Sequence, residues 1–154
     1  MHARSRGLTL VETLVALVVL SIGLLGAVAM LVDSMRTHTD ALRRLAAVNL
    51  LRDMADRIRV NPRGRHAYDT RSGAGLASCA ASACGPAERA ATDRVHFITA
   101  AARISPRTAT VSFEPATGPA AFEHFVISLD VGRDPSEPDV VTTIVAQTPV
   151  AGGA

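Results

Sequence analysis

Lysine is absent from this chain of 154 residues, so all 16 of its basic side chains are arginines, a compositional bias rather than a chemical device. Aromatic residues make up only 3% against 48% hydrophobic overall, so a folded core must be built mainly from Ala, Val, Leu and Ile. The common catalytic signatures are missing too. There is no phosphate-binding glycine loop, no Gly-x-Ser-x-Gly elbow and no His-Glu-x-x-His. The histidines, His2, His38, His66, His96 and His124, are scattered, and none stands with an acid or cysteine in a convincing catalytic pairing. Asp130, Asp134, Glu137 and Asp139 cluster, but they lack the ligand spacing and central glycine of an EF-hand loop, so a turn with solvated charges is expected. An enzyme is not expected: no catalytic residue, no metal ligand and no cofactor.

The most informative absence is of charge. From Thr13 to Val32 there is no charged residue and no proline, and only Thr13 and Ser21 are polar. A run of about twenty such residues is long enough to cross a bilayer core as a helix. Just before it stand Gly7-Leu8-Thr9-Leu10-Val11-Glu12 and a short basic leader, Met1-His2-Ala3-Arg4-Ser5-Arg6. A carboxylate carried to the membrane centre costs roughly 2.5–3.5 kcal/mol, which makes Glu12 a functional candidate. Arginines ahead of the apolar run place the N-terminus inside and the remainder outside. Two other readings compete. Ala27-Val28-Ala29 resembles a signal-peptidase site, but Glu12 sits badly in such a segment and the apolar run continues to Val32. A plain single-pass anchor leaves Gly7 and Glu12 as coincidences.

Beyond Asp33 the chain turns two-faced without a helix breaker until Asn61-Pro62. Leu42, Leu45, Val48 or Asn49, Leu51, Met54, Ala55 and Ile58 recur at steps of three and four, as one buried stripe requires. Asp40 with Arg44, and Asp53 with Arg57, form acid-first i,i+4 pairs. Leu8 to Val60 therefore reads as one helix, on the order of 80 Å long. Gly23 and Gly26 are its weak points, and Gly23 with Ala27 makes a small-xxx-small pair that permits close helix approach. A second helix is expected from Ala87 to about Arg103, with Val95, Ile98 and Ala102 on one side. Three strands follow at Thr108–Phe113, Phe122–Val131 and Val140–Thr148, the second alternating Phe125, Ile127, Leu129 and Val131 against His124, Ser128 and Asp130. A sheet packed on the two-faced half of the long helix covers both apolar faces, an α+β arrangement. The organisation expected is a leader at 1–7, a transmembrane half-helix at 8–32, an amphipathic half-helix at 33–60 and a C-terminal globular region at 61–154.

Cys79 and Cys84 are the only cysteines. Outside the membrane the compartment is oxidising, so they are expected to pair, stabilising a short loop by only about 2 kcal/mol. Zinc would need two further ligands that the spacing does not supply. Eight arginines lie between Arg36 and Arg65 against Asp40, Asp53 and Asp56, a stripe that could attract phosphates. Interleaved acids and cover from the soluble region and neighbouring subunits make nucleic acid an unlikely partner.

Gly7-Leu8-Thr9-Leu10-Val11-Glu12-Thr13-Leu14-Val15-Ala16-Leu17, then Ser21-Ile22-Gly23-Leu24-Leu25-Gly26, resembles the prepilin cleavage motif and helix of type IV pilins. Asp53-Met54-Ala55-Asp56-Arg57-Ile58-Arg59-Val60-Asn61, Ala67-Tyr68-Asp69-Thr70 and Cys79 to Pro86 are similar to segments of the PilV group of minor pilins, the type IV pilus modification proteins. Leu8 stands where most members carry phenylalanine or methionine. The resemblance implies that a prepilin peptidase cuts after Gly7 and methylates the new Leu8 amine. It also implies a type IV pilin-like fold, and a single-pass inner-membrane protein with a periplasmic C-terminal region. Glu12 would then guide assembly with other minor and major pilins, through the N-terminal helices, into the pilus or its tip. The process served would be pilus priming or modification, adhesion or motility. The alternative reading is a minor pseudopilin at the tip of a type II secretion pseudopilus; a DNA-binding minor pilin ranks behind both.

Overall fold

The computed structural model describes residues 9–72, 84–115, 122–132, 134 and 136–146. The dominant element is helix α1, Leu10–Val60. The chain divides into two compact units, Met1–Ala41 and Leu42–Ala154.

In the first unit α1 is apolar on every side from Thr13 to Val32, before Asp33, Arg36, His38 and Asp40, and its large hydrophobic residues are exposed, from Leu10 (77%) through Leu25 (71%) to Met35 (60%). Four hydroxyls turn back on the helix. Thr13 donates to the Leu10 carbonyl (2.8 Å), Ser21 to Leu17 (2.7 Å), Thr37 to Asp33 (3.1 Å) and Thr39 to Met35 (2.9 Å). Hydroxyls bonded in this way leave no unmet donor on an apolar surface.

The second unit holds the core. Its sheet is an antiparallel meander of β1 (Ala109–Glu114), β2 (His124–Asp130) and β3 (Val140–Ala146), in that order. The register sets Val111 opposite Ile127 and Thr143, and Phe113 opposite Phe125 and Val145. The inward rows, Val111, Phe125, Ile127, Leu129 and Val145, meet Ala47, Leu51, Met54, Ala55 and Ile58 of α1 in one cluster. Helix α2, Pro86–Ile104, adds Ala90, Phe97 and Ala101. Each fully buried Leu, Ile, Phe or Val side chain stabilises the unit by about 1.5–3 kcal/mol. The fold is thus α+β, a long N-terminal helix packed against a small antiparallel sheet.

The stripe expected on α1 holds in its second half and that on α2 is displaced. On α1 Leu51, Met54, Ala55 and Ile58 are buried as expected, together with Ala47, whereas Leu42 and Leu45 are 53% and 57% exposed. At 100° per residue these leucines point about 140° and 160° away from Ala47, onto the opposite side of the helix. On α2 the buried residues are Ala90, Ala91, Arg94, Phe97 and Ala101, while Ile98 and Ala102 are exposed and Val95 is half-buried. Arg94 hid this face: its charge reads as solvent-facing, yet it is 5% exposed and donates to the carbonyls of Ala67 (3.3 Å) and Asp69 (3.0 Å). A buried guanidinium is tolerated when its donors are met in this way.

Two 3₁₀ segments, Pro62–Tyr68 and Thr70–Ser72, follow α1. Tyr68 is fully buried, with its hydroxyl 2.8 Å from Asp93 Oδ2 and 3.2 Å from the Arg57 carbonyl. Burial pushes its phenol well up. Arg57 bridges Asp53 (2.8 Å) and Asp93 (2.6 Å), so α1 and α2 share one guanidinium. The expected Asp53–Arg57 pair forms, while Arg44 reaches Asp139 (2.6 Å).

The second 3₁₀ segment lies along β1 and substitutes for a strand. Thr70 Oγ1 donates to the Val111 carbonyl (2.9 Å) and accepts from the Val111 N–H (3.3 Å). Asp69 accepts the Phe113 N–H (3.2 Å) and Arg71 donates to the Phe113 carbonyl (2.7 Å). Partial burial raises the Asp69 carboxyl, but the Arg71 guanidinium and the two backbone N–H groups outweigh it and hold the group below its usual range.

Candidate processing and assembly site at the head of the long helix

The expected site residues fall in separate places. Gly7 and Leu8 lie outside the described residues, as does Cys79. Glu12 is in the first turn of α1 and exposed. Cys84 stands two residues before α2, where its carbonyl accepts from Arg89 Nε (3.1 Å). No free thiol occurs among the described residues.

The head of α1 is built by Thr9. Its carbonyl accepts the N–H of Glu12 (3.0 Å) and of Thr13 (3.3 Å), the latter being the first full helical bond. Its hydroxyl oxygen also lies 3.4 Å from the Glu12 nitrogen. Thr9 is therefore the N-cap, holding one of the four donors that a helix start leaves unmet. Thr9 and Glu12 have the Thr-x-x-Glu spacing of a capping box, the sequence signal of this cap. The return contact of that box, Glu12 carboxylate to Thr9 N–H, is not made among the described residues. The Glu12 carboxylate instead faces outward at the positive end of the helix dipole, where a negative charge is favoured.

Behind this carboxylate, α1 is long and apolar enough to cross a membrane, and none of its most apolar window is buried within the chain. A side chain added at Gly23 or Gly26 would meet nothing within 4 Å, so neither glycine is required by packing inside this chain.

The other candidate clusters resolve into local structure. Asp130 Oδ1 accepts the backbone N–H of Gly132 (2.9 Å) and of Asp139 (3.1 Å), and Oδ2 takes Arg107 (3.2 Å). Those backbone amides and the nearby guanidinium lower the Asp130 carboxyl. Gly132 has no room for a side chain, since a Cβ would come within 2.9 Å of Asp139 N and the Glu137 carbonyl. Asp134 accepts the Ser136 N–H (2.8 Å) and hydroxyl (2.6 Å). These acids are turn fasteners, and no group of three or more possible metal ligands occurs among the described residues. The arginine stripe is less covered than expected: Arg36, Arg43, Arg44, Arg52, Arg59 and Arg63 are all exposed. The chain's own packing turns inward mainly the apolar face beside them. Ion pairs with Asp139, Asp56 and Glu123 engage Arg44, Arg59 and Arg65.

Comparison with known families decides what this head is. Residues 2–28 match the prokaryotic N-terminal methylation motif, and residues 29–95 match the family described as type IV pilin Tt1218. The chain is type IV pilin-like. No curated protein and no solved structure matches it. The two matches abut at residues 28 and 29, within α1, and the pilin match continues past the end of that helix into α2. They describe a prepilin-like chain, and among the described residues one helix, α1, is long and apolar enough to span a membrane.

Proposed function

We propose that this chain is a minor pilin of the PilV kind. A prepilin peptidase cuts it between Gly7 and Leu8 and methylates the new Leu8 amine. Helix α1 holds it in the inner membrane, N-terminus inside and C-terminal region in the periplasm. From there it enters a type IV pilus among other minor and major pilins, where it primes or modifies the filament in adhesion or motility. The observation that carries this reading is Glu12: one exposed carboxylate in the first turn of α1, ahead of an uncharged, exposed apolar run from Thr13 to Val32. Such a charge has value only with a partner, and a terminal amine one turn away on a neighbouring subunit is a fitting one.

Pili sheared from cells should contain this chain lacking Met1–Gly7, and the shortened form should vanish when the prepilin peptidase is deleted. Finding it only with a secretion pseudopilus would replace the pilus reading with that of a pseudopilin.

In the same compartment Cys79 and Cys84 form a disulfide in this reading. Intact-mass measurement after thiol alkylation should show no added alkyl group in exported protein. Two alkylated thiols without reductant would overturn the pairing. Because the loop is short, losing the bond should lower stability by only about 2 kcal/mol.

A further inference from the structure

We propose that the second unit holds a site for a carboxylate carried on a short aliphatic stem, in a cavity of about 490 Å³ between helix α1 and the turn that joins α2 to β1.

The chemistry of this cavity is one-sided. Arg43 of α1 lines it together with Ser105 and Arg107 of the turn, while Ile104, Pro106 and Val131 form apolar walls and no carboxylate lines it. The Arg107 side chain is 20% exposed and carries five N–H donors. Its Nη1 serves Asp130 Oδ2 (3.2 Å), but Nε and Nη2 make no bond among the described residues. No buried side-chain nitrogen or oxygen among those residues lacks a partner, so Nε and Nη2 reach open space. Ser105 is only 4% exposed; its hydroxyl oxygen accepts the Arg107 N–H (3.3 Å), which leaves the hydroxyl hydrogen to give. Arg43 adds a second guanidinium, exposed and in no ion pair among the described residues, whereas Arg44 beside it is taken by Asp139 (2.6 Å). Converging donors with no facing carboxylate call for an anion, and the guanidinium fork matches a carboxylate in particular.

The acids around the cavity narrow the choice. Asp130 is bonded to Arg107 and Asp139 to Arg44; Asp134 is held low first by the Ser136 hydroxyl and N–H and in lesser part by Arg107. Three carboxylates this close offset much of the arginine charge and disfavour a doubly charged phosphate. A singly charged head with its stem on Ile104, Pro106 and Val131 suits both the charge and the walls. The inference stands apart from the pilus reading, because the cavity lies within the second unit alone.

The test titrates the full-length protein in detergent micelles with butanoate at constant ionic strength, following the backbone amides of Ser105, Arg107 and Gly132 by NMR. These amides should shift saturably at millimolar butanoate and stay still with butanamide, which keeps the stem and lacks the charge. Inorganic phosphate should bind more weakly than butanoate. Arg43→Gln should weaken butanoate binding several-fold; Arg43 is exposed, so the core survives its loss. No saturable shift, an equal response to butanamide or phosphate, or unchanged binding by Arg43→Gln overturns the site. A free acid and an acidic side chain of another chain share this chemistry. The capped peptide acetyl-Ala-Glu-Ala-amide separates them: competition with butanoate supports a side chain as the occupant, and its exclusion supports a free acid. Protein that binds butanoate but never enters pili defeats the pilus reading and leaves this one standing.

Discussion

Replacing Gly7 with leucine is expected to abolish processing and leave Met1–Gly7 attached to the protein. Glycine has no Cβ, so the backbone on the carboxyl side of the leader can be approached closely. A branched side chain at that position puts bulk beside the scissile bond, and no nearby glycine offers an alternative site before Gly23. The remaining chain is untouched by the change, so Gly7→Leu protein should still insert in the membrane. Mass spectrometry of membrane-extracted protein decides the matter. A chain starting at Leu8 despite the substitution means that glycine is not read at this step. A chain starting at Met30 assigns the cut to an ordinary signal peptidase.

Glu12→Ala should separate assembly from everything before it. The alanine helix is more apolar than the native one, so insertion should be equal or better, and the Thr9 cap contacts only the backbone of residue 12. What is lost is the partner of a terminal amine once that amine is packed among helices away from water. Breaking one side of a buried ion pair costs about 3–5 kcal/mol, enough to remove a subunit from a filament. The variant should therefore be cut and membrane-resident but strongly depleted from sheared pili. Glu12→Gln should be nearly as defective, because it keeps shape and hydrogen bonding without the charge. Wild-type amounts of both variants in filaments would show that Glu12 is an idle interfacial residue.

Much of the molecule could be read from residue pattern because its strongest signals are local. The uncharged run, the stop at Asn61-Pro62 and the alternation of Phe125, Ile127 and Leu129 each sit within one element, and α1, β1, β2 and β3 form close to where they were expected. The errors arise where the environment decides. Leu42 and Leu45 look like core by composition, but burial on α1 begins only at Ala47. Arg94 looks like surface, but carbonyls from a segment about 25 residues away in sequence take its charge indoors. Thr9 was legible in principle, since its role follows from a four-residue spacing. The cover on β1 was not, because Asp69, Thr70 and Arg71 reach Val111 and Phe113 across more than 40 residues. No periodicity carries that information.

That cover gives the sheet two unlike borders. On one side, side chains occupy the outward backbone groups of Val111 and Phe113, so an incoming strand finds no free donor or acceptor at those two residues. On the other, β3 has no such cover among the described residues; it carries no charge and leaves Val140 and Ile144 52% and 63% exposed. Strands add to a sheet only where backbone groups are vacant. A runaway stack of sheets needs two vacant borders per molecule, one to receive and one to offer. Were β3 the one vacant border, edge-to-edge contact between copies would end at a pair. On the β1 side the Asp69–Arg71 segment thus works as a chain terminator would, by occupying the backbone groups of Val111 and Phe113 that a further strand would use.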